Sequence, residues 1–328
     1  MHTPIVAHSL TVPRYVDLML LLVAVAWGSS YAIAKEALAL YPVLGFIALR
    51  FGLAALLLAP RLMRRGAWPG LGALPLGALL LAIFLCETYG VVQTSAANAA
   101  FLISLCVVFT PLVEWALLGV RPRAQVLGAC GLALGGAALL AGELELRVGL
   151  GDGLILLAAL LRALMVCMTR RQRLSRESDA LALTAVQSLV VAGGAVALAL
   201  SLPGEGLPAL PRAWPFWLAL GYLVMCCTLF ALFVQNHALR HASPTRVSLL
   251  MGSEPLFGAL FAAFWLDERL SVGAWAGGCA IVFASLWAIR ASAPGGMSEP
   301  DAPAARPAEA VGATLAEPEI TIIEARKG

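Results

Sequence analysis

The sequence contains little charge. Asp, Glu, Lys and Arg together make up 12% of its 328 residues, whereas 61% are hydrophobic. An ordinary soluble domain has about 25% charged and roughly 45–50% apolar residues. A water-soluble fold of this length needs a charged shell, which this sequence lacks. The composition therefore excludes a typical soluble globular protein and indicates a membrane protein.

The sequence also lacks the patterns of several kinds of chemistry. It has no Walker-type phosphate loop, so ATP-driven transport by this chain alone is not expected. The four histidines, at positions 2, 8, 237 and 241, do not cluster with cysteines or carboxylates, so we predict no metal or other cofactor. The seven cysteines form no CxxC pair with a partnering histidine and are expected to pack as small hydrophobic side chains.

What the sequence has instead is a series of long apolar runs between short charged segments. A helix needs about 20 apolar residues to cross a bilayer. These runs must be helical, because lipid cannot hydrogen-bond to the backbone and they do not alternate like barrel strands. We predict ten spans, at approximately residues 16–34, 43–60, 71–91, 97–118, 124–141, 152–169, 180–201, 213–236, 246–266 and 272–290. The predicted fold class is an all-α membrane protein with ten transmembrane helices.

The distribution of arginine and lysine predicts the orientation. With the N-terminus in the cytoplasm, the even-numbered connections and both ends hold most of the arginines, including Arg64, Arg123 and Arg173. This bias follows the positive-inside rule and indicates a multi-pass protein of a bacterial-type inner membrane with both termini cytoplasmic. Residues 1–15 are expected to form a short cytoplasmic segment. Residues 291–328 are rich in Ala, Pro, Gly and Glu, which predicts a disordered cytoplasmic tail.

One passage occurs twice in related form. LISLCVVFTPLVEWALLGVRPR (residues 102–123) resembles LMGSEPLFGALFAAFWLDERLS (residues 250–271), and each leads through a short charged turn into a glycine-rich helix. We therefore predict two five-helix repeats, residues 16–141 and 152–290. Because five is an odd number, the copies must have opposite orientations in the bilayer. Secondary transporters often combine such inverted repeats with a binding site between them.

Each copy also contains a proline within its apolar run. Pro111 and Pro255 each remove a backbone donor and are expected to kink or break their helix. A membrane protein tolerates this only where protein or a water-filled cavity surrounds the site. The sequence leaves open whether the two prolines are simple packing kinks or mark such a cavity.

Four segments carry a resemblance to a known family. They are WGSSYAIAKEAL (residues 27–38), ALRFGLAALLL (residues 48–58), TYGVVQTSAANAAFLISLCVVFTPL (residues 88–112) and RHASPTRVSLLMGSEPLFGALFAAFWLDERL (residues 240–270). In their order, spacing and duplication they resemble the drug/metabolite transporter superfamily and, within it, the EamA-type ten-helix permeases. The resemblance covers roughly residues 16–290.

The resemblance implies two inverted five-helix repeats around a central cavity, and proton- or gradient-driven movement of small metabolites, usually outward. It also implies that the first span is retained and not cleaved as a signal peptide. The sequence departs from the family pattern at two positions. Val120 stands where the second copy, and commonly the family, has a glutamate, and Arg162 stands where relatives often have an aromatic residue. The second departure puts a substrate taken over from relatives in doubt.

Ionisable residues deep in the spans are the main candidates for a transport site, because they cost about 2.5–3.5 kcal/mol to insert and tend to face a cavity or a partner. Arg50, near the middle of the second span, could bind a substrate carboxylate or pair with a glutamate. Glu87, near the end of the third span, could exchange a proton during transport or pair with Arg50 or Arg162. Arg162 is expected to face the cavity, whereas Glu114 could snorkel toward the cytoplasmic face.

Four further residues complete the predicted set for substrate binding or coupling. Glu254 precedes Pro255 near the entry to the ninth span, where it could line the cytoplasmic mouth or cap a helix N-terminus, the preferred interpretation. Trp27, Tyr31 and Asn98 could form aromatic or hydrogen-bonding walls. For each of these three, interface anchoring or helix packing is the simpler interpretation.

Together these patterns predict a secondary active transporter of the inner membrane. It is expected to export a small metabolite, such as an amino acid or a related amphiphilic compound, by alternating access coupled to protons or another gradient. The alternative is a non-transporting integral membrane enzyme or scaffold on the same helical frame, but no serine-protease or paired acidic metal motif supports an enzyme. The predicted partners are a small-molecule substrate and the lipid bilayer, with no nucleic acid, and the chain is either a monomer or a homodimer.

Overall fold

The computed structural model describes residues 13–64, 68–94, 96–141, 149–175, 179–202, 206–265 and 271–291, and the regular secondary structure within them is entirely helical. In chain order the helices are α1 (Arg14–Leu38), α2 (Val43–Leu62), α3 (Ala73–Gln93), α4 (Ala96–Ser104), α5 (Cys106–Leu118), α6 (Ala124–Ala141), α7 (Leu150–Ser175), α8 (Ala180–Ser201), α9 (Trp214–Val224), α10 (Ala231–His241), α11 (Pro244–Met251), α12 (Glu254–Trp265) and α13 (Val272–Ala291). A π-helical turn, Met225–Phe230, joins α9 to α10 without interrupting the span.

The predicted spans are present in the structure. Nine helical segments in the described part of the chain are at least 18 residues long and apolar enough to cross a membrane. They match nine of the predicted spans, for example Val43–Leu62 against residues 43–60. The tenth, predicted at residues 246–266, is divided between α11 and α12. The all-α class and the ten-helix membrane architecture are therefore confirmed.

The ninth span is broken near its middle. Helix α11 begins at Pro244 and a second helix, α12, begins at Glu254, directly before Pro255, in agreement with the predicted kink or break at this proline. The Ser243 hydroxyl caps α11 by accepting a hydrogen bond from the Arg246 backbone N–H at 3.3 Å. A proline is well tolerated in the first turn that follows, since its N–H is not needed there.

The fourth span has a milder break at the single residue Leu105, which separates α4 from α5. Leu105 keeps helical backbone angles and its N–H bonds to the Leu102 carbonyl, so the hydrogen-bond pattern changes here while the span continues. The break does not coincide with the proline of this span, because α5 continues through Pro111. The helix is therefore not broken at Pro111, and the alternative of a kink there stays a prediction, since a helix that contains proline lacks one backbone hydrogen bond. Pro255 differs, since it is the second residue of α12 and follows directly on the break in the ninth span.

Glycines allow the closest helix crossings. α1 crosses α12 at Gly28, where an added Cβ would lie 2.7 Å from both the Glu254 carbonyl oxygen and the Gly258 nitrogen. α6 crosses α13 at Gly136, where a Cβ would lie 2.6 Å from the Gly277 carbonyl oxygen. Small residues let membrane helices approach this closely, which increases their van der Waals contact.

The broken spans pack against two long helices. α11 and α12 both contact α1, whereas α4 and α5 both contact α7. Around them, α2 packs against α8, α6 packs against α13, α3 packs against α7, and α1 packs against the span made of α9 and α10. This arrangement brings the two breaks close to the side chains that α1 and α7 present.

Both predicted terminal segments lie almost entirely outside the described residues. Of the predicted cytoplasmic segment at residues 1–15 the structure describes only 13–15, and of the predicted tail at residues 291–328 only Ala291.

Candidate functional site

Three charged side chains meet where α3, α7 and α12 approach one another. The guanidinium of Arg162, on α7, lies 3.6 Å from a carboxylate oxygen of Glu254 at the start of α12. It lies 3.9 Å from a carboxylate oxygen of Glu87 on α3. Both distances fit an ion pair and exceed the usual length of an N–H···O hydrogen bond. Two carboxylates therefore share one guanidinium, and we call these three residues the Arg162 cluster.

The Arg162 cluster is shielded from solvent within the protein. The exposed fraction of the side chain is 5% for Glu254, 15% for Glu87 and 17% for Arg162. Charges taken out of water are costly unless oppositely charged groups lie close to them. The guanidinium between the two carboxylates reduces this cost, and the loss of Arg162 would leave both carboxylates without an opposite charge.

An aromatic wall from α1 adjoins the cluster. The Trp27 ring centre lies 4.4 Å from the Arg162 guanidinium carbon, a distance at which the ring attracts the cation. The Trp27 indole N–H donates to the Cys227 carbonyl oxygen at 3.0 Å, which fixes the ring. Tyr31 lies one helical turn further along α1, is buried, and interacts electrostatically with all three charges of the cluster.

A small cavity of about 50 Å³ lies beside the cluster. A cavity needs about 10–15 Å³ of this volume to hold one water molecule, so in this conformation there is room for only a few waters. The polar and charged residues that line the cavity are Ser104, Cys106, Thr110, Arg162, Gln235, Ser248 and Glu254. Both broken spans contribute, with Cys106 at the start of α5 and Glu254 at the start of α12. Non-helical backbone at membrane depth is tolerated next to such a cavity.

The structure brings five of the seven predicted site residues together: Trp27, Tyr31, Glu87, Arg162 and Glu254. Glu87 lies beside Arg162, which is one of the two pairings that the sequence left open. Glu254 is the first residue of α12 and is buried beside Arg162, while its capping role stays a prediction. A role of these residues in transport stays a prediction.

Arg50 lies outside the cluster and bonds to the π-helical turn. Its Nε donates to Thr228 Oγ1 at 2.7 Å, and its Nη2 donates to the Cys227 carbonyl oxygen at 3.3 Å. Its guanidinium also lies 5.0 Å from the centre of the Phe84 ring. Among the residues that the structure describes, no carboxylate lies within ion-pair distance of Arg50, so the predicted pairing with a glutamate is not found. A π turn shifts the helical hydrogen-bond pattern, and Arg50 supplies donors to it.

Asn98 is part of α4, but its side chain lies outside the described part of the structure. Five polar residues that line the cavity were not predicted, namely Ser104, Cys106, Thr110, Gln235 and Ser248. The hydroxyl oxygens of Thr110 and Ser248 are 3.0 Å apart, which links α5 to α11. Their polarity within apolar spans is a signal in the sequence. It is a weak one, because hydroxyl side chains in helices commonly bond to their own backbone.

Two acidic residues hold the start of α11. Glu114 on α5 accepts hydrogen bonds from the Thr245 backbone N–H, at 3.1 Å, and from the Thr245 hydroxyl. Asp17 on α1 accepts two hydrogen bonds from the Arg246 guanidinium, at 2.6 and 3.0 Å. Glu114 is buried and caps α11, so the predicted snorkelling toward the cytoplasmic face is wrong.

The all-helical membrane architecture and the two broken spans around a buried charged site define a polytopic membrane protein built like a transporter. A comparison with known families agrees with this class. The sequence profile of the EamA-like transporter family matches residues 14–142 and 149–290. The chain belongs to the EamA-like transporter family, and the resemblance to the drug/metabolite transporter superfamily is thereby confirmed.

Two individual proteins are similar to this chain. An uncharacterized transporter of Archaeoglobus fulgidus is 34% identical over 101 residues, which are 31% of this chain and 32% of the relative. The similarity thus spans about a third of that protein. A crystal structure of a protein with 16% identical residues has a TM-score of 0.69 and covers 85% of this chain and 98% of its own. This second likeness shows a shared fold.

Proposed function

We propose that this protein is a secondary active transporter that exports a small metabolite, such as an amino acid or a related amphiphilic compound, by alternating access. A proton or another gradient supplies the energy. The observation that carries the proposal is the small cavity between the two broken spans, lined by Arg162 and Glu254. Buried ionisable groups at membrane depth typically mark a substrate or ion pathway. On this reading the chain is a transporter and not an enzyme.

The helix contacts support an inverted repeat. If the first five spans correspond in order to the last five, α2 corresponds to α8 and α6 corresponds to α13. Each of these two pairs is in direct contact, as expected for equivalent helices next to a two-fold axis. The contact of α3 with α7 corresponds in the same way to the contact of α1 with the span made of α9 and α10. Rocking of one repeat against the other would open the cavity to each side in turn.

The arginine distribution supports the proposed membrane setting. It favours a bacterial-type inner membrane with both termini cytoplasmic. In this orientation the start of α11, which Glu114 and Asp17 hold, lies toward the cytoplasm.

The experiment that tests the proposal is counterflow in proteoliposomes that contain the purified full chain. Vesicles are preloaded with one unlabelled solute from a panel of amino acids, amino acid amides and N-acetyl amino acids, and entry of the labelled solute is recorded. We expect at least one solute to accumulate transiently above equilibrium, with and without a pH gradient. Arg162→Ala should abolish this signal, because it removes the central charge of the cluster.

Arg61→Ala is the matched control, since Arg61 pairs with Asp179 away from the cavity and both side chains are partly exposed. This variant should transport like the original chain. If the original chain moves no member of the panel in either condition, the transporter proposal is wrong. If Arg162→Ala transports normally, the site assignment is wrong while the transporter proposal stands.

A further inference from the structure

Three buried oxygen atoms at the site have no partner at ordinary hydrogen-bond distance and angle among the described residues. They are Oε1 of Glu254, Oε2 of Glu87 and the hydroxyl oxygen of Tyr31, which interacts with the Glu254 side chain without forming a hydrogen bond of ordinary geometry. Leaving a buried polar atom without a good hydrogen bond destabilises the protein, most of all for a charged group. Three such atoms around one cluster, next to a cavity, indicate that a ligand with hydrogen-bond donors completes the site.

The charge of the site restricts that ligand further. Two carboxylates face one guanidinium, so the ionised cluster carries one uncompensated negative charge. An anionic ligand would add a second negative charge to a poorly solvated site, where charges interact more strongly than in water. A ligand with one positive charge would make the site neutral.

We propose that the Arg162 cluster binds a protonated amine of the transported solute. This inference rests on the proposed transport function and specifies its substrate class as amines with a net positive charge. A primary ammonium group has three N–H donors, the number needed to satisfy the open oxygens of Glu87, Glu254 and Tyr31. Hydrogen bonds between an ammonium and a carboxylate are charge-assisted and belong to the strong ones in proteins.

The same geometry distinguishes primary amines from quaternary ammonium ions. A trimethylated nitrogen has the same charge but no N–H donor, so it would leave all three oxygens unpaired. The Trp27 ring, which could otherwise attract such an ion, already faces the Arg162 guanidinium. The cavity of about 50 Å³ holds only the ammonium head in this conformation. The rest of the solute must occupy space that forms when the repeats move apart.

The test uses four ligands that share one side chain and differ in charge or donors. They are leucinamide as the primary cation, leucine as the zwitterion, N-acetylleucine as the anion and N,N,N-trimethyl-leucinamide as the quaternary cation. Binding to the full chain is measured by the ligand-induced shift of the melting temperature, and transport by counterflow in proteoliposomes. We expect leucinamide to bind about tenfold or more tightly than N-acetylleucine and the quaternary cation, the factor that one lost charge-assisted hydrogen bond produces.

Two nearly isosteric variants test whether leucinamide binding depends on the carboxylates of the cluster. Glu254→Gln and Glu87→Gln should each weaken leucinamide binding by about tenfold or more, because each removes the charge that attracts the cation. Glu36→Gln is the matched control, since Glu36 is exposed near the end of α1, and it should bind like the original chain. All three variants must first show the melting profile of a folded protein. If Glu254→Gln does not, Glu87→Gln alone tests the loss of charge, and Glu254→Asp, which keeps the charge, should still bind leucinamide more tightly than Glu87→Gln does.

The outcomes separate this inference from the proposed function. Transport with a preference for N-acetylleucine, or with equal affinity for all four ligands, overturns the amine site and leaves the transporter proposal standing. The same holds if both glutamine variants bind leucinamide normally. Absence of binding and counterflow for all four ligands and for the wider panel overturns the transporter proposal and the amine site with it.

Discussion

The fourth and the ninth spans are interrupted at corresponding positions but differ in charge. The overlay of residues 102–123 on 250–271 places Leu105 opposite Ser253 and Cys106 opposite Glu254. The structure interrupts the helix at both places, so that α5 begins with Cys106 and α12 begins with Glu254. The shared feature of the two copies is thus the interrupted backbone. The ionisable group is present in one copy only, which makes the ninth span the charged side of the cavity.

The two broken spans also hold each other. Helix α5, which follows the first break, supplies Thr110 to Ser248 and Glu114 to Thr245 on α11, which precedes the second break. A movement that separates α5 from α11 therefore disturbs both breaks at once. The helix after the neutral break therefore stabilises the helix before the charged break.

The largest effect is expected when the charge that compensates Glu254 in the ninth span is removed. We expect Arg162→Ala to lower the free energy of unfolding by about 3–5 kcal/mol, because it leaves two buried carboxylates unpaired. Denaturant unfolding of the full chain in detergent measures this change. The control, Arg61→Ala, should lose less than about 1 kcal/mol, since its pair with Asp179 is partly exposed. Equal losses in both variants would show that the charged break is not a buried ion-pair site.

A second variant tests how closely α1 packs against the helix that follows the charged break. Gly28→Ala places a methyl group against the Glu254 carbonyl and the Gly258 nitrogen, and overpacking of this kind costs about 1–3 kcal/mol. Gly131→Ala is matched to it, because Gly131 is also helical and has no atom within 4 Å of an added Cβ. There the change should be neutral or stabilising by up to about 1 kcal/mol. Thermal unfolding of the two variants side by side decides the point, and an unaffected Gly28→Ala would contradict the close crossing.

The smallest effect is expected at the contact of Glu114 on α5 with the start of α11. Glu114→Gln keeps the shape and one acceptor but loses the charge that caps α11, so it should lower the unfolding free energy by about 1 kcal/mol. Glu36→Gln, at an exposed position of α1, should change it by less than about 0.5 kcal/mol. Denaturant midpoints of the two variants provide the comparison. A stable Glu114→Gln variant would mean that α5 does not hold α11 through this carboxylate.

The ends of the spans were predictable because they depend on local composition. Residues 180–201 and 272–290 were predicted from apolar run length alone, and the helices are Ala180–Ser201 and Val272–Ala291. The interruption of the fourth span was not predictable in the same way, because the apolar run continues through Leu105 and Pro111 suggested a different position. The interruption of the ninth span does have a signal in the sequence, since Gly252, Ser253 and Glu254 interrupt the apolar run directly before Pro255.

For the candidate site, the sequence identified the participants but not their arrangement. Glu87, Arg162 and Glu254 were recognisable one by one as ionisable groups in apolar surroundings, because burial of charge is costly wherever it occurs. Their meeting depends on how α3, α7 and α12 pack, which no local pattern encodes. Arg50 shows the limit most clearly, because its partners, the Thr228 hydroxyl and the Cys227 carbonyl, belong to a π-helical turn that exists only in the folded protein.

The most direct test of alternating access at this site uses a native cysteine, Cys106, at the break in the fourth span. Cys106 lines the cavity opposite Glu254, and a variant that keeps Cys106 while the other cysteines are replaced by alanine reports on the solvent exposure of that position. The measurement is the rate at which a charged, membrane-impermeant thiol reagent modifies Cys106 when it is added from either side of the membrane. If the site has alternating access, Cys106 should be modified from both sides of the membrane, and leucinamide should slow the reaction in each case. Modification from one side only, at every solute concentration, would contradict alternating access.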